Sequence, residues 1–260
     1  MWNSVFRLLT ELSSRKWISG VTGRFAKSSV SRRLIPRFAK LYGIDPAEAE
    51  KDIHEYASLN DFFTRRLKSG MRAIDAATDT LISPVDAKIT GIGSIADGTL
   101  LNVKGQDYTV EELLNHSPRA VNYRNGFYIV LYLSPTDYHR IHSPVTGKVL
   151  EREHVRGKVY PVNEFGMRHM KRTLSRNERL ITYIHHDDGE VAVVKVGAMN
   201  VSSIRYVEPQ LESLARGDEL AYFEFGSTVV LLMETGTFRV REDLMVNSKV
   251  RMGEALGVLR

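Results

Sequence analysis

Cysteine is absent from the 260 residues. That removes disulfides, thiolate metal sites and cysteine nucleophiles together, and fits a reducing compartment. Long apolar runs are absent too. No stretch of about 18 or more apolar residues occurs, so nothing reads as a membrane-spanning helix. Nor is there an unbroken apolar core with a small-residue cleavage site of the secretory kind. Acidic residues are scarce at one end only. Residues 1–42 carry nine basic side chains (Arg7, Arg15, Lys16, Arg24, Lys27, Arg32, Arg33, Arg37 and Lys40) against Glu11, a net charge of +8. The whole chain is +5, so residues 43–260 sum to −3. The basic character therefore belongs to the N-terminal segment.

What that segment does have is helical spacing. Trp2, Val5, Phe6, Leu9 and Leu12 are followed by Trp17, Ile18, Val21 and Phe25, then by Leu34, Ile35, Phe38 and Leu41. This predicts two or three short amphipathic helices, broken near Gly20–Gly23 and at Pro36. Basic amphipathic helices with aromatic residues suit an anionic membrane surface. The plain alternative is a helical arm packed on its own domain with a solvated basic face. Nucleic acid competes less well, because no nucleic-acid motif accompanies the charge. Residues 47–68 continue the helical pattern through Ala47, Ile53, Tyr56, Phe62, Phe63 and Leu67.

After about Ile74 the texture changes to short apolar or alternating runs separated by Gly, Asp and Asn. Strands are predicted at 81–95, 99–103, 127–133, 146–154, 157–160, 180–186, 190–206, 220–225, 228–234 and 237–241, with one helix at 109–115. The fold class expected is α+β: helices over 1–75, then a mostly antiparallel β sandwich or barrel over 76–260. An internal echo supports it. Ser83-Pro84-Val85-Asp86-Ala87-Lys88-Ile89 is answered by Ser143-Pro144-Val145-Thr146-Gly147-Lys148-Val149. Each Pro can open an edge strand, which predicts a pseudo-duplicated hairpin.

The candidates for chemistry are Ser, Asp and His. His139 and His142 lie in Asp137-Tyr138-His139-Arg140-Ile141-His142. Extended, they point apart; in a turn they converge. A lone His is more often structural than catalytic. No third ligand lies near these two. His185-His186-Asp187-Asp188 reads as a polar hairpin loop, so no metal is expected. Asp86 is either a turn cap or an orienter for a His. In Phe223–Glu234 an apolar run is interrupted by Gly226-Ser227-Thr228. A strand glycine often marks only a bulge. Ser227 also lacks the Gly-x-Ser-x-Gly elbow of α/β-hydrolases, because Val230 holds the last position.

Six stretches, taken in order, resemble the phosphatidylserine decarboxylase family. They are Asn60-Asp61-Phe62-Phe63-Thr64-Arg65, Ser83-Pro84-Val85-Asp86, Asp137-Tyr138-His139-Arg140-Ile141-His142-Ser143-Pro144, Asn177-Glu178-Arg179, Val196-Gly197-Ala198 and Phe225-Gly226-Ser227-Thr228. Phe225, Ala87, Ser202 and Ala221 depart from the residues common there, and none of these is a reactive group.

The resemblance implies that the chain cuts itself between Gly226 and Ser227. Ser227 would become a covalent pyruvoyl group, with no metal and no pyridoxal phosphate. It also implies His142 as the base, Asp86 as its holder, and His139 as an acid or positioning residue in decarboxylation of phosphatidylserine to phosphatidylethanolamine. The partners implied are a processed chain of residues 1–226 with one of 227–260, and an anionic membrane bearing the substrate. There is room for a homodimer, and no nucleic acid is implied. The place implied is the cytosolic face of the cytoplasmic membrane, with the protein bound peripherally. Two other readings stand beside it. One is a lipid-acting serine hydrolase with an Asp86/His142/Ser227 triad and no self-cutting. The other is a carrier-like β domain, for which Lys88 and Lys148 lack the hairpin-tip setting.

Overall fold

The computed structural model describes residues 23–260, apart from 104–105, 163–169, 171, 188, 199–203 and 225–226. The amphipathic pattern from Trp2 to Val21 therefore lies outside the described residues, as do Ser202, Phe225 and Gly226. Pro36 does not break a helix. It stands in the first turn of α1 (Ile35–Tyr42), where a missing N–H costs nothing and the fixed φ favours a helical start. Gly43 ends α1 at φ 61°, and its N–H and that of Ile44 turn back to the carbonyls of Lys40 and Ala39. Only a residue without a Cβ reaches that conformation cheaply.

The helical pattern of 47–68 is realised only as a 3-10 turn at Pro46–Glu48 and as α2 (Leu59–Phe63). Asp and Ser side chains capture the N–H groups that a longer helix would need. Asp52 Oδ1 accepts from His54 N at 2.9 Å, and Ser58 Oγ from Asp61 N at 3.2 Å. Asp61 Oδ2 accepts from Ala57 N, just ahead of the Ser58 cap, at 3.0 Å, a reciprocal bond resembling a capping box. The apolar side chains still meet: Ile35, Ala39, Ile44, Tyr56 and Phe62 form a small core of their own.

The body is built from β1 (Thr80–Ile82), β2 (Ala87–Ser94), β3 (Thr99–Val103), β4 (Gln106–Thr109), β5 (Phe127–Leu133), β6 (Arg140–His142), β7 (Gly147–Val155) and β8 (Arg179–His186). There follow β9 (Gly189–Gly197), β10 (Ile204–Tyr206), β11 (Ser213–Leu214), β12 (Glu219–Phe223), β13 (Ser227–Met233), β14 (Phe238–Val240), β15 (Lys249–Val250) and β16 (Ala255–Leu259). Short helices α3 (Val110–Leu113) and α4 (Thr173–Arg176) interrupt them. The predicted strand at 157–160 is only an isolated bridge from Lys158 to Asn177.

An eight-stranded sheet in the order β11-β7-β8-β9-β13-β5-β2-β15 dominates. Two three-stranded sheets, β1-β16-β14 and β10-β12-β6, accompany it, and the ladders are antiparallel. These are open sheets, so the expected sandwich-or-barrel core is antiparallel without closing into a barrel.

β13 runs through the middle of the large sheet and is buried on both faces. Val229, Leu231 and Met233 join the core that also holds Ile141, Ala221 and Phe223. Val230 and Leu232 join the opposite core with Leu113, Tyr123 and Leu174. Double-sided burial explains an unbroken apolar run in an antiparallel strand, where one wet face would have produced alternation.

The two Ser-Pro-Val segments have matching surroundings. Ser83 Oγ donates to Val85 O and Ser143 Oγ to Val145 O, each at 2.7 Å. Gly253 N reaches Ser83 O at 3.0 Å and Gly217 N reaches Ser143 O at 2.9 Å. Both glycines are left-handed, at φ 92° and 93°. The segments also clasp each other: Ile82 N donates to Pro144 O at 3.1 Å, and His142 N to Pro84 O at 2.9 Å.

Because Leu231 is fully buried, Leu231→Ala should destabilise the fold by about 2–5 kcal/mol. Urea unfolding of Ser227→Ala with and without the second change checks this, and an unchanged midpoint contradicts the double-sided core.

Candidate active site

Position 227 opens β13. Its register partners are Leu133 on β5 and Gly197 on β9. The Gly197 end is fixed by Asn177, which is fully buried. Asn177 Nδ2 donates to the carbonyls of Gly197 and Tyr160, both at 2.8 Å, and its Oδ1 accepts from Tyr160 N at 3.0 Å. Gly197 N donates to Glu178 O at 2.8 Å. Next to Asn177 and Glu178, Arg179 spends its guanidinium on the carbonyls of Leu113, Ser175, Asn177 and Glu112. The Asn-Glu-Arg stretch thus builds the floor under the start of β13.

β6 carries His142 next to Ile141, and Ile141 packs in the same core as Val229. His142 Nδ1 lies 2.6 Å from Gly217 O and its Nε2 3.1 Å from Tyr138 OH. A carbonyl can only accept, so Nδ1 carries the hydrogen and Nε2 the lone pair, with Tyr138 OH donating to it. Burial lowers the His142 pKa, and the bond to Gly217 works against that. The ring is therefore a neutral base, oriented by a backbone carbonyl.

Asp86 stands between β1 and β2 and does not bond that ring. Arg72 Nε lies 2.9 and 3.0 Å from its two oxygens and Arg72 Nη2 2.5 Å from Oδ2. Met252 N donates to Oδ1 at 2.9 Å. At the matching place in the second Ser-Pro-Val segment, Thr146 Oγ1 accepts from Arg216 N at 3.0 Å. The backbone bond is thus shared by both copies, and the carboxylate with its arginine is particular to the first. Asp86 acts on His142 through its charge, which favours the protonated ring.

His139 precedes β6. Its carbonyl accepts from Phe223 N at 3.1 Å, four residues before Ser227. Its ring is fully buried and lies 3.9 Å from the Phe63 ring, centroid to centroid. Nδ1 donates to Asp137 O at 2.8 Å, which leaves the lone pair on Nε2, and that atom is buried without a partner. Burial pushes the His139 pKa down to about 3. Buried polar atoms are nearly always satisfied, so an unpaired Nε2 marks a place for a ligand group. The two histidines are therefore held apart, each by a different carbonyl. Glu224, buried and three residues before Ser227, accepts from Lys27 Nζ at 2.8 Å and ties the basic arm to the approach of β13.

The comparisons decide what this arrangement belongs to. A family model described as phosphatidylserine decarboxylase matches residues 59–258. The chain is 43% identical over 256 residues to the phosphatidylserine decarboxylase proenzyme of Geobacillus sp. (strain WCH70), covering 98% of each chain. It is 41% identical over 256 residues to the proenzyme of that name from Bacillus thuringiensis (strain Al Hakam), covering 98% of this chain and 97% of the relative. A third, from Anoxybacillus flavithermus (strain DSM 21510 / WK1), is 42% identical over 255 residues, covering 98% of this chain and 96% of the relative. The chain belongs to the phosphatidylserine decarboxylase family.

All four residues singled out in the sequence fall inside the matched range of this decarboxylase family. Sequence reading missed Arg72, Tyr138 and Gly217, which complete the shells of Asp86 and His142. Tyr138 could have been found, because it sits inside the His motif. Arg72 and Gly217 carry no local signal: one lies 14 residues from its partner and the other contributes a backbone oxygen. Among the described residues no group of three or more His, Cys, Asp or Glu side chains is placed to hold a metal ion.

A pKa lowered to about 3 means that His139 stays neutral well below the ordinary value of about 6.5. Nitrogen-15 NMR of Ser227→Ala at pH 5 should show a neutral His139 ring with hydrogen on Nδ1. A charged ring at that pH contradicts the burial argument.

Proposed function

We propose that this member of the phosphatidylserine decarboxylase family cuts its own chain between Gly226 and Ser227 and then converts phosphatidylserine to phosphatidylethanolamine. One observation carries the reading: position 227 heads a strand locked between Leu133 and Gly197, and β6, whose Ile141 packs in the same core as Val229, also holds a buried, neutral His142. The relatives are named proenzymes, which supports maturation by cutting.

In the cut, Ser227 Oγ attacks the Gly226 carbonyl and gives its proton to His142 Nε2. The peptide nitrogen leaves as an amine, so an amide becomes an ester. Elimination expels the Gly226 carboxylate. Water then replaces the nitrogen, with loss of ammonia and formation of a pyruvoyl end. Asp86, held in place by Arg72, supports through its charge the cation that forms on His142.

The pyruvoyl group supplies an electron-withdrawing carbonyl for the amine of the substrate. The neutral Nε2 of His139 can accept a hydrogen bond from the substrate amine, and its low pKa makes the ring, once it carries the proton that the amine releases on joining the carbonyl, a strong donor to the carbon that loses carbon dioxide. Phe63, packed on the ring, keeps water from this proton.

Residues 1–75 serve as the membrane-binding segment and 76–260 as the catalytic body. Exposed Phe25, Val30, Leu41 and Tyr42 stand among Arg24, Arg33, Arg37 and Lys40, which supports peripheral binding at an anionic surface on the cytosolic side. Among the described residues no helix is long and apolar enough to cross a membrane. The matching bonds of the two Ser-Pro-Val segments support their descent from one duplicated hairpin.

Denaturing mass spectrometry of active protein should find two chains, 1–226 and 227–260, the second beginning with a ketone that hydrazine labels. Ser227→Ala should stay whole and inactive. His142→Ala should cut at least about a hundredfold more slowly, as expected for loss of a general base. His139→Ala should cut but turn over poorly. An intact wild-type chain with full activity points instead to the serine hydrolase.

A further inference from the structure

Among the described residues two arginines are buried, and they differ in kind. Arg179 makes four bonds of 2.6 to 3.1 Å to carbonyls and is satisfied. Arg65, from the Asn-Asp-Phe-Phe-Thr-Arg stretch, is 5% exposed and has no carboxylate within ion-pair distance among the described residues. Its Nη1 and Nη2 reach Phe62 O and Thr136 O only at 3.5 Å, and its Nε is buried with no partner. A guanidinium offers five donors and never gives up its charge at ordinary pH. Buried without an anion, it is expensive.

Arg65 lines a cavity of about 570 Å³ that also reaches Asp86, Tyr132 and Ser134. Tyr132 is the register partner of Thr228, and Ser134 follows the register partner of Ser227. The cavity therefore opens at the sheet end where β13 begins. On its wall, Lys88 and Lys249 face each other directly across the β2–β15 ladder. Like charges at such a position repel, and neither ammonium has an ion pair among the described residues. Three nearby carboxylates, Asp86, Glu48 and Asp137, are bonded to other groups. Arg72 bonds Asp86 and Glu48, and Asp137 Oδ2 accepts from Ser134 N and Oγ at 2.7 Å. Glu254 and Arg251 complete the charged lining.

We propose that Arg65, Lys88 and Lys249 form a phosphate subsite that holds the phosphodiester of the phospholipid headgroup beside Ser227. This rests on the function proposed above. The chemistry assigns these cations to the phosphate and not to the carboxylate. The carboxylate loses its charge as carbon dioxide departs, so cations against it would hold the ground state more tightly than the transition state. The phosphate keeps its charge throughout, and binding there positions the substrate without opposing the reaction. The carboxylate is left to the side of His139 and Phe63. Leu41 and Tyr42, exposed just ahead of the cavity-lining Gly43 and Ile44, place this opening next to the basic arm, where a lipid would enter.

The test uses full-length Ser227→Ala, which does not turn over, with deacylated glycerophosphoserine as the probe and phosphorus NMR as the readout. Saturable binding should weaken about tenfold or more in Lys88→Gln/Lys249→Gln, the loss expected for charge-assisted contacts. Arg65→Gln should weaken it similarly, and the lysine pair keeps the test valid if that buried change unfolds the chain. Affinity for O-methylserine, which has the amine and carboxylate without the phosphate, should stay within about twofold in the lysine variant. In the chain with Ser227 restored, the lysine pair should raise KM for phosphatidylserine with little change in kcat, and cutting should proceed as before. The proposal is overturned if glycerophosphoserine does not bind, if both probes weaken alike, if KM is unchanged, or if the lysine variant fails to cut. Absence of a ketone in wild-type protein would sink the decarboxylase reading and leave this binding result standing.

Discussion

The structure depends on the lateral register of β13 between β5 and β9. Seven consecutive residues pair on both sides, from Ser227 against Leu133 and Gly197 to Met233 against Phe127 and Val191. Both faces are buried, so a slip of one residue would exchange the two cores and is strongly resisted. That rigidity gives position 227, where the cut is proposed, a fixed place at the head of the strand. Asn177 extends the same constraint sideways by tethering the carbonyl of Gly197.

Around this fixed point two kinds of polar group are arranged. His142, His139 and Asn177 are directed by backbone carbonyls, which cannot move without moving a strand. Asp86 is directed by Arg72, a side chain arriving from the segment that joins the helical arm to the body. The arm also reaches the approach to β13 through Lys27 and Glu224. The helical arm and the β body are thus mechanically continuous.

Much of the fold was readable in the chain. The β-rich body and the echo of Ser83–Ile89 in Ser143–Val149 rest on local signals, and so does the choice of Asp86, His139, His142 and Ser227 as the residues proposed for the site. The fold differs from the linear reading where side chains compete with the backbone. Asp52, Ser58 and Asp61 take N–H groups and shorten the helix predicted over 47–68 to Leu59–Phe63. Pro36 starts a helix instead of ending one, because only position within the first turn decides which it does. Lys158 pairs through a lone bridge, because the neighbouring strand it would need is a single residue, Asn177.

The sequence by itself determined the candidate polar groups, the basic arm and the periodicity of the strands, because each is a matter of residue type and near-neighbour spacing. Tertiary structure alone decided which partner each of those groups has. Asp86 bonds Arg72 and Met252 while His142 bonds Gly217 and Tyr138, although a triad drawn from the chain would join Asp86 to His142 directly. It also decided that Arg65 is buried without an anion and that Lys88 faces Lys249. Partners in a sheet are set by strand order and register, which bring together residues more than a hundred positions apart, and no local pattern encodes that pairing.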